Sequence, residues 1–458
     1  MVSKPRYTSS TLTGLMLAAV IGLGPAAMAA DGPLRVHPDN PRYFTDESSR
    51  AIYLTGSHTW RNLLDASADD ASAHFDYPGY LDLLTREGHN FIRLWTWEHS
   101  KLAPLPYLRS GPGTALDGQP KFDLERFDPA YFDRLEQRVS AAADRGLYVA
   151  VMLFQGWSIE TKLEDRENPW PRHPFHRDNN VNGIDGDTDG DGEGKEVHTL
   201  GQEAVTRLQE AYVKAVIDRL NGYDNLLYEI SNESHKDAHA WQHHMIDVIQ
   251  RYQETKPRQH PVVMTVAYPG GDNGPLYRSP AVAISPKGTD RLDYQTDPPS
   301  ADGRKVILID SDHLWGIGGD SAWVWKSFAR GLNPIYMDPM DTGRGSEAVR
   351  KQVPRVRSAM GHTRAYATRM DLARMEPDPA ASSSGYALVD PGREYLVYQP
   401  LPGLAFTVDV APGTYDFEIF NTETGQTVVN GQVTADGPHE FQPPFEADAV
   451  LYLKRRPD

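Results

Sequence analysis

Between Ala51 and Asp338 the chain carries eight short apolar runs, with amphipathic helical patterns between several of them. They read AIYLTGS, NFIRLWTWE, GLYVAVMLF, NLLYEISNE, PVVMTVAY, AVAIS, KVILID and NPIYMD. Alternating strands and helices imply a parallel sheet, because parallel neighbours need a long crossover and helices are the usual one. GLYVAVMLF is almost wholly apolar, the pattern of a strand covered on both sides. Eight such units over roughly 300 residues predict an α/β fold of the (β/α)8 barrel type. A doubly wound open sheet is the structural rival, but no glycine-rich phosphate loop follows the first run.

Helical spacing fills several gaps. YPGYLDLLTREGHN sets Leu81 and Leu84 on one face and stops at Gly88; Phe132, Leu135 and Val139 mark the next helix, closed by Gly146. Val205, Leu208, Tyr212 and Val216, then Trp241, Met245, Val248 and Tyr252, mark two more. The barrel is expected over residues 31–380. After the linker PAASSSG, residues 386–458 alternate apolar and polar positions broken by Pro-Gly and Asn-Gly turns, which predicts a small all-β sandwich.

The first thirty residues read differently. Lys4 and Arg6 precede LTGLMLAAVIGLG, followed by Pro25 and AAMAAD. That is the layout of a signal peptide over residues 1–30, cut after Ala29 or Ala30, and it predicts export to a periplasm or the outside. The run is short for a membrane span, and no later segment is apolar enough to be one. There is no cysteine, which excludes disulfides and thiolate metal sites. A net charge of −17 argues against nucleic acid as a partner. No sequence feature fixes an oligomeric state.

Barrel chemistry sits where the strands end. The fourth run, LYEISNES, places Glu229 and Glu233 four residues apart, so alternation gives Glu229, Ser231 and Glu233 one orientation. Glu233 is then expected at the mouth. Glu229 lies deeper and needs a basic partner, for which Arg93 on the second strand is a candidate. Hydrolysis of a glycosidic bond uses two carboxyl groups on opposite sides of the bond. The seventh run ends in LIDSDHLWG, offering Asp310 and Asp312; the second ends at Glu98 and the eighth at Asp338. Strand seven faces strand four across an eight-stranded barrel, which favours Asp310 or Asp312 as the second acid.

YEISNES resembles the YEI-x-NE segment on the fourth strand of the family five cellulases and their relatives, the large retaining clan of (β/α)8 glycoside hydrolases. The resemblance implies that Glu233 is the acid/base, that Asn232 contacts the sugar 2-hydroxyl, and that Arg93 steadies the nucleophile. That clan ends its seventh strand in a nucleophilic Glu, where this chain has Asp-Ser-Asp. The mature chain is also similar to secreted members of this superfamily that open with a stretch like NPRYFTDESSRAIYLTGSHTW. Those close with a sandwich labelled collagen-binding, similar here to EYLVYQP through DAVLYLK.

Side chains at other strand ends suit a carbohydrate. Trp60, Trp95, Trp97, Trp157 and Trp315 offer flat apolar faces, and His58, Glu98, His173, Asn180, Asn182, His313 and Asp338 offer polar contacts. The histidines lack the H-E-x-x-H spacing of a catalytic zinc site, so no catalytic cofactor is expected. The segment DGDTDGDGEGKE fits the D-x-D-x-D-G-x5-E calcium loop. Asp185, Asp187, Asp189, Asp191 and Glu196 are its candidate ligands, and the ion would be structural. The expected function is a two-carboxylate glycoside hydrolase. The rivals are an inverting enzyme with a strand-seven Asp as base, a non-catalytic carbohydrate-binding or adhesion protein, and a polysaccharide lyase.

Overall fold

The computed structural model describes residues 30–66, 74–340 and 345–457. The signal-peptide segment, residues 1–29, lies outside them. Eight parallel strands form one sheet: β1 (Gly56–His58), β2 (Phe91–Leu94), β3 (Tyr148–Gln155), β4 (Leu226–Asn232), β5 (Val262–Thr265), β6 (Ala283–Ser285), β7 (Val306–Asp310) and β8 (Asn333–Met337). The ladder runs β1-β8-β7-β6-β5-β4-β3-β2. Its ends meet where Asn90 N–H donates to the Thr55 carbonyl at 3.0 Å, just before β2 and β1. This is a (β/α)8 barrel. Every residue of these strands is buried, which is why they read as apolar runs.

The helices start and stop on local chemistry. Asp76 accepts the Gly79 N–H ahead of α1 (Tyr77–Arg86), and Asp128 accepts the Ala130 N–H ahead of α2 (Pro129–Ala143). Gly88 follows the end of α1 at φ +78°, a left-handed conformation open to glycine. Helix α3 (Glu203–Leu220) packs between α2 and α4 (His239–Gln253), α4 covers β4 and β5, and α7 (Ser321–Ala329) and α8 (Glu347–Arg369) complete the wall. Two short helices intervene, α5 (Gly274–Arg278) and α6 (Asp312–Trp315). The barrel interior is layered. Leu34 and Phe44 join Phe91, Tyr148, Leu227, Val306 and Ile335 in an apolar floor. Trp95, Met152 and Met337 form a small apolar cluster of their own.

The chain then builds a second, antiparallel sheet in the order β9 (Glu376–Pro377), β10 (Ala387–Asp390), β11 (Glu394–Gln399), β14 (Ala449–Arg455), β12 (Phe406–Asn421) and β13 (Gln426–Phe441). A register shift between Val410 and Gly413 in the long strand β12 marks a bulge, a device that bends a strand so that its sheet can curl over itself. Val397, Val408, Val410, Ile419 and Leu451 fill that fold, which is the sandwich. Leu388, Leu396, Tyr398, Phe420 and Val450 belong instead to the barrel core. There Trp325 of α7 stacks on Tyr398 with centroids 6.2 Å apart, and Tyr366 of α8 meets Trp325 and Phe420 edge-on at 5.8 Å each. The sheet begins at Glu376 rather than at 386. PAASSSG is not a free linker, since Ser382 bridges to Val408 and Ala381 sits in the sandwich core.

Candidate active site

One guanidinium organises the barrel interior. Arg93, on β2, donates from Nε to Glu229 Oε2 at 2.8 Å and from Nη2 to Glu229 Oε1 at 2.5 Å. Its Nη1 donates to Asp310 Oδ2 at 2.7 Å, and Nη2 also reaches Asn232 Oδ1 at 2.8 Å. The alternation expected along β4 breaks at its end. Ser231 bonds Ser234, which bonds His198, while Asn232 joins Glu229 on Arg93. Glu233 then follows at φ +47°, a left-handed conformation that a residue with a Cβ rarely adopts.

Asp310 is fully buried and its oxygens are taken. Beyond Arg93 it accepts His58 Nε2–H at 3.0 Å and the Asp312 backbone N–H at 2.9 Å. Burial pushes its carboxyl up, but the charges of His58 and Arg93 outweigh that and hold it well below the usual range. Asp310 does not reach the cleft and both its oxygens are engaged, so it is not placed to serve as the second acid expected from the sequence. His58, stacked on Trp95 at 5.5 Å, is buried with it and supports the ion cluster.

Asp312 opens α6 and does reach the cleft, with its Oδ2 buried and lacking a hydrogen-bond partner. A carboxylate oxygen of Glu233, one of Asp312 and a ring nitrogen of His313 lie within 4.8 Å of one another. The His313 nitrogens are already engaged: Nδ1 with Ser285 Oγ at 2.8 Å and Nε2 with Asn232 Oδ1 at 3.2 Å. Burial, then repulsion from Glu233 and Asp310, pushes the Asp312 carboxyl well up. Burial also raises Glu233, against the Trp157 hydrogen bond and the charges of Lys162 and Arg93. Like charges this close do not both ionise readily, so the pair retains a proton above the ordinary carboxylate range.

These two acids face a cleft of about 920 Å³. Trp60, Trp95, Trp97, Trp157, His313 and Trp315 line it, as does Tyr268. Trp97 is held by its indole N–H on the Trp60 carbonyl at 2.8 Å. Tyr268 went unread in the sequence, although it ends the run PVVMTVAY as the tryptophans end theirs. At the head of the cleft the backbones of β3 and β4 nearly touch. A Cβ on Gly156 would lie 2.2 Å from the Glu233 carbonyl oxygen. Gly156→Ala is thus expected to cost about 1–3 kcal/mol in denaturant unfolding and to displace Glu233. A variant with wild-type stability would refute this.

Other candidates serve the scaffold, for identifiable reasons. Glu98 accepts the Gln155 N–H at 2.7 Å and lies 3.6 Å from His173 and 3.7 Å from His198. Burial raises its carboxyl, yet the two histidines bring it down to about 2. His173 is buried at that junction. Asn180 donates to the carbonyls of Pro174, His176 and Ile184, bracing its own loop. Asn182 accepts the Leu124 N–H at 2.7 Å, tying the loop to the hairpin Tyr107–Thr114 and Pro120–Phe127, an element the sequence did not disclose. Asp338 is fully buried against Arg357, at 2.7 and 2.8 Å. None of these five borders the cleft, and neither do Arg93 and Asn232, which lie beneath it.

In the acidic loop, carboxylate oxygens of Asp187, Asp189 and Glu196 lie within 4.8 Å of one another, and Gly190 makes the turn at φ +77°. Glu196 Oε2 is buried without a partner. Two expected ligands point to other charges: Asp191 pairs with Lys195 at 2.8 Å and Asp185 lies 3.7 Å from Arg177.

Among known proteins, a family described as a domain of unknown function (DUF6298) matches residues 85–269, the stretch holding Arg93, Glu229 and Glu233. No curated protein matches the chain. A solved structure described as a glycoside hydrolase is similar, with a TM-score of 0.58 and 14% identity over 93% of this chain and 97% of that one. So is a family 5 glycoside hydrolase from Bacteroides vulgatus, with a TM-score of 0.56 and 13% identity over 93% of this chain and 94% of that one. The likeness extends over both sheets and is one of fold.

Proposed function

We propose that the protein is an exported glycoside hydrolase that cleaves O-glycosidic bonds in a polysaccharide or oligosaccharide with retention of configuration. The observation that carries this is the approach of Glu233 and Asp312 to within 4.8 Å beside an aromatic cleft. Retaining enzymes set their two carboxyls about 5–5.5 Å apart, whereas inverting ones leave about 6.5–9.5 Å for a water. Glu233 protonates the departing glycosidic oxygen while Asp312 bonds to the anomeric carbon. Water then breaks that ester and returns its proton to Glu233. Arg93 favours the ionised forms of Glu233 and Asp312 alike, so the roles follow from position: Glu233 follows directly on β4, and Asp312 faces it from the end of β7. The tryptophans supply sugar-stacking faces. Solved glycoside hydrolases share this fold.

The test is a panel of polysaccharides and aryl glycosides, with the product anomer read by proton NMR. Retained configuration supports the reading. Inverted product would make Asp312 a general base. Glycan binding without turnover would make the protein an adhesin, and an ultraviolet-absorbing product would make it a lyase. N-terminal sequencing of exported protein, expected to start after Ala29 or Ala30, tests the signal peptide.

We also propose that Asp187, Asp189 and Glu196 hold a structural calcium ion, with the long loop as the element it braces. Burial, and the charges of Asp189 and Asp187, push the Glu196 carboxyl up, and a cation would relieve that repulsion. Calcium a hundredfold above its Kd should add about 2–3 kcal/mol to stability. An unfolding temperature indifferent to calcium and to chelator would refute it.

A further inference from the structure

Trp157 does more than face the cleft. It follows Gly156 at the end of β3, and its indole Nε1–H donates to Glu233 Oε2 at 2.6 Å. The ring lies parallel to Tyr268, with centroids 5.8 Å apart and planes 9° apart. Tyr268 is held in turn: buried Lys162, paired with Glu160, donates to the Tyr268 carbonyl at 2.5 Å. A chain of contacts from the third and fifth strand ends thus stops on one oxygen of one carboxyl group. An indole N–H donates and never accepts, and it keeps its proton at any working pH. It can therefore fix Oε2 without competing for the proton that the acid must trade.

We propose that Trp157 is a positioning residue for Glu233: it holds Oε2, so that Oε1 is the oxygen that gives its proton to the departing oxygen and takes one back from water. This rests on the glycosidase reading for its chemistry, though not for its geometry. The donor also stabilises the charged carboxylate and offsets part of the upward push of burial. The indole is thereby assigned a second duty besides that of a sugar platform.

Trp157→Phe keeps an aromatic face and deletes the donor. The first readout needs no substrate: carbon-13 NMR of glutamate-labelled protein, with the Glu233 signal assigned from its loss in Glu233→Gln. The expected result is a higher titration midpoint for Glu233 in Trp157→Phe. Tyr268→Leu, which leaves the donor but frees the ring, should shift it the same way by less. The second readout uses phenyl and 2,4-dinitrophenyl glycosides of a sugar that the panel shows to be cleaved. The phenyl glycoside, which needs the acid, should lose about tenfold more rate than the dinitrophenyl one. An unchanged midpoint in both variants, or equal loss on both aglycons, overturns the proposal. Should no glycoside be cleaved, the glycosidase reading fails while the titration still decides whether Trp157 governs Glu233.

Discussion

Glu233→Gln is expected to cut hydrolysis of an unactivated glycoside by about 10²–10⁴-fold, the usual share of a general acid. The amide keeps the shape of the side chain but has no proton to give. The fold should survive, and unfolding should show a gain at neutral pH. The sign follows from the raised Glu233 carboxyl. Native protein holds that proton over a pH range where the unfolded chain has released it. Stability therefore falls as pH rises from the unfolded value, about 4.3, through the folded one. The Gln variant loses that slope. Far-ultraviolet circular dichroism, unfolding at several pH values and a cleavable substrate together check the result. Undiminished turnover would remove Glu233 from the mechanism.

Arg93→Met should be the most damaging substitution for stability, at about 3–5 kcal/mol. Glu229 and Asp310 are 1% and 0% exposed, and both depend on that guanidinium. Removing it leaves buried Glu229 without its cationic partner and Asp310 with His58 and one backbone N–H alone. The loss should grow as pH rises above about 4 and shrink in acid, because protonated carboxyls tolerate burial. Adding Glu229→Gln and Asp310→Asn to Arg93→Met should recover much of it, since the cost lies in orphaned charge. A single variant as stable as the parent would mean that water reaches the cluster.

Much of the barrel is legible because parallel strands buried on both faces leave runs such as GLYVAVMLF, which few other structures require. Glu233 is legible from its place after the fourth run. The choice between Asp310 and Asp312 is not, because both follow the same run. What separates them is whether Arg93 and His58 saturate the carboxylate, a fact of three distant segments. Asn180 and Asn182 misled for a related reason: loop asparagines bond backbone as readily as ligands. The hairpin from Tyr107 to Phe127 is not legible, because glycine and proline break its alternation.

The join between the two sheets bears on how such a protein can be recombined. Phe420 and Tyr398 of the second sheet meet Trp325 and Tyr366 of α7 and α8 in one continuous core. A crossover placed at the serine-rich segment would strip aromatic surface from both halves and leave each with an adhesive wound. A module that can be lent to another enzyme would have to take α8 along, and the barrel left behind would lack a stave. The seam that composition marks is thus no line of cleavage, and the two halves are constrained to change together.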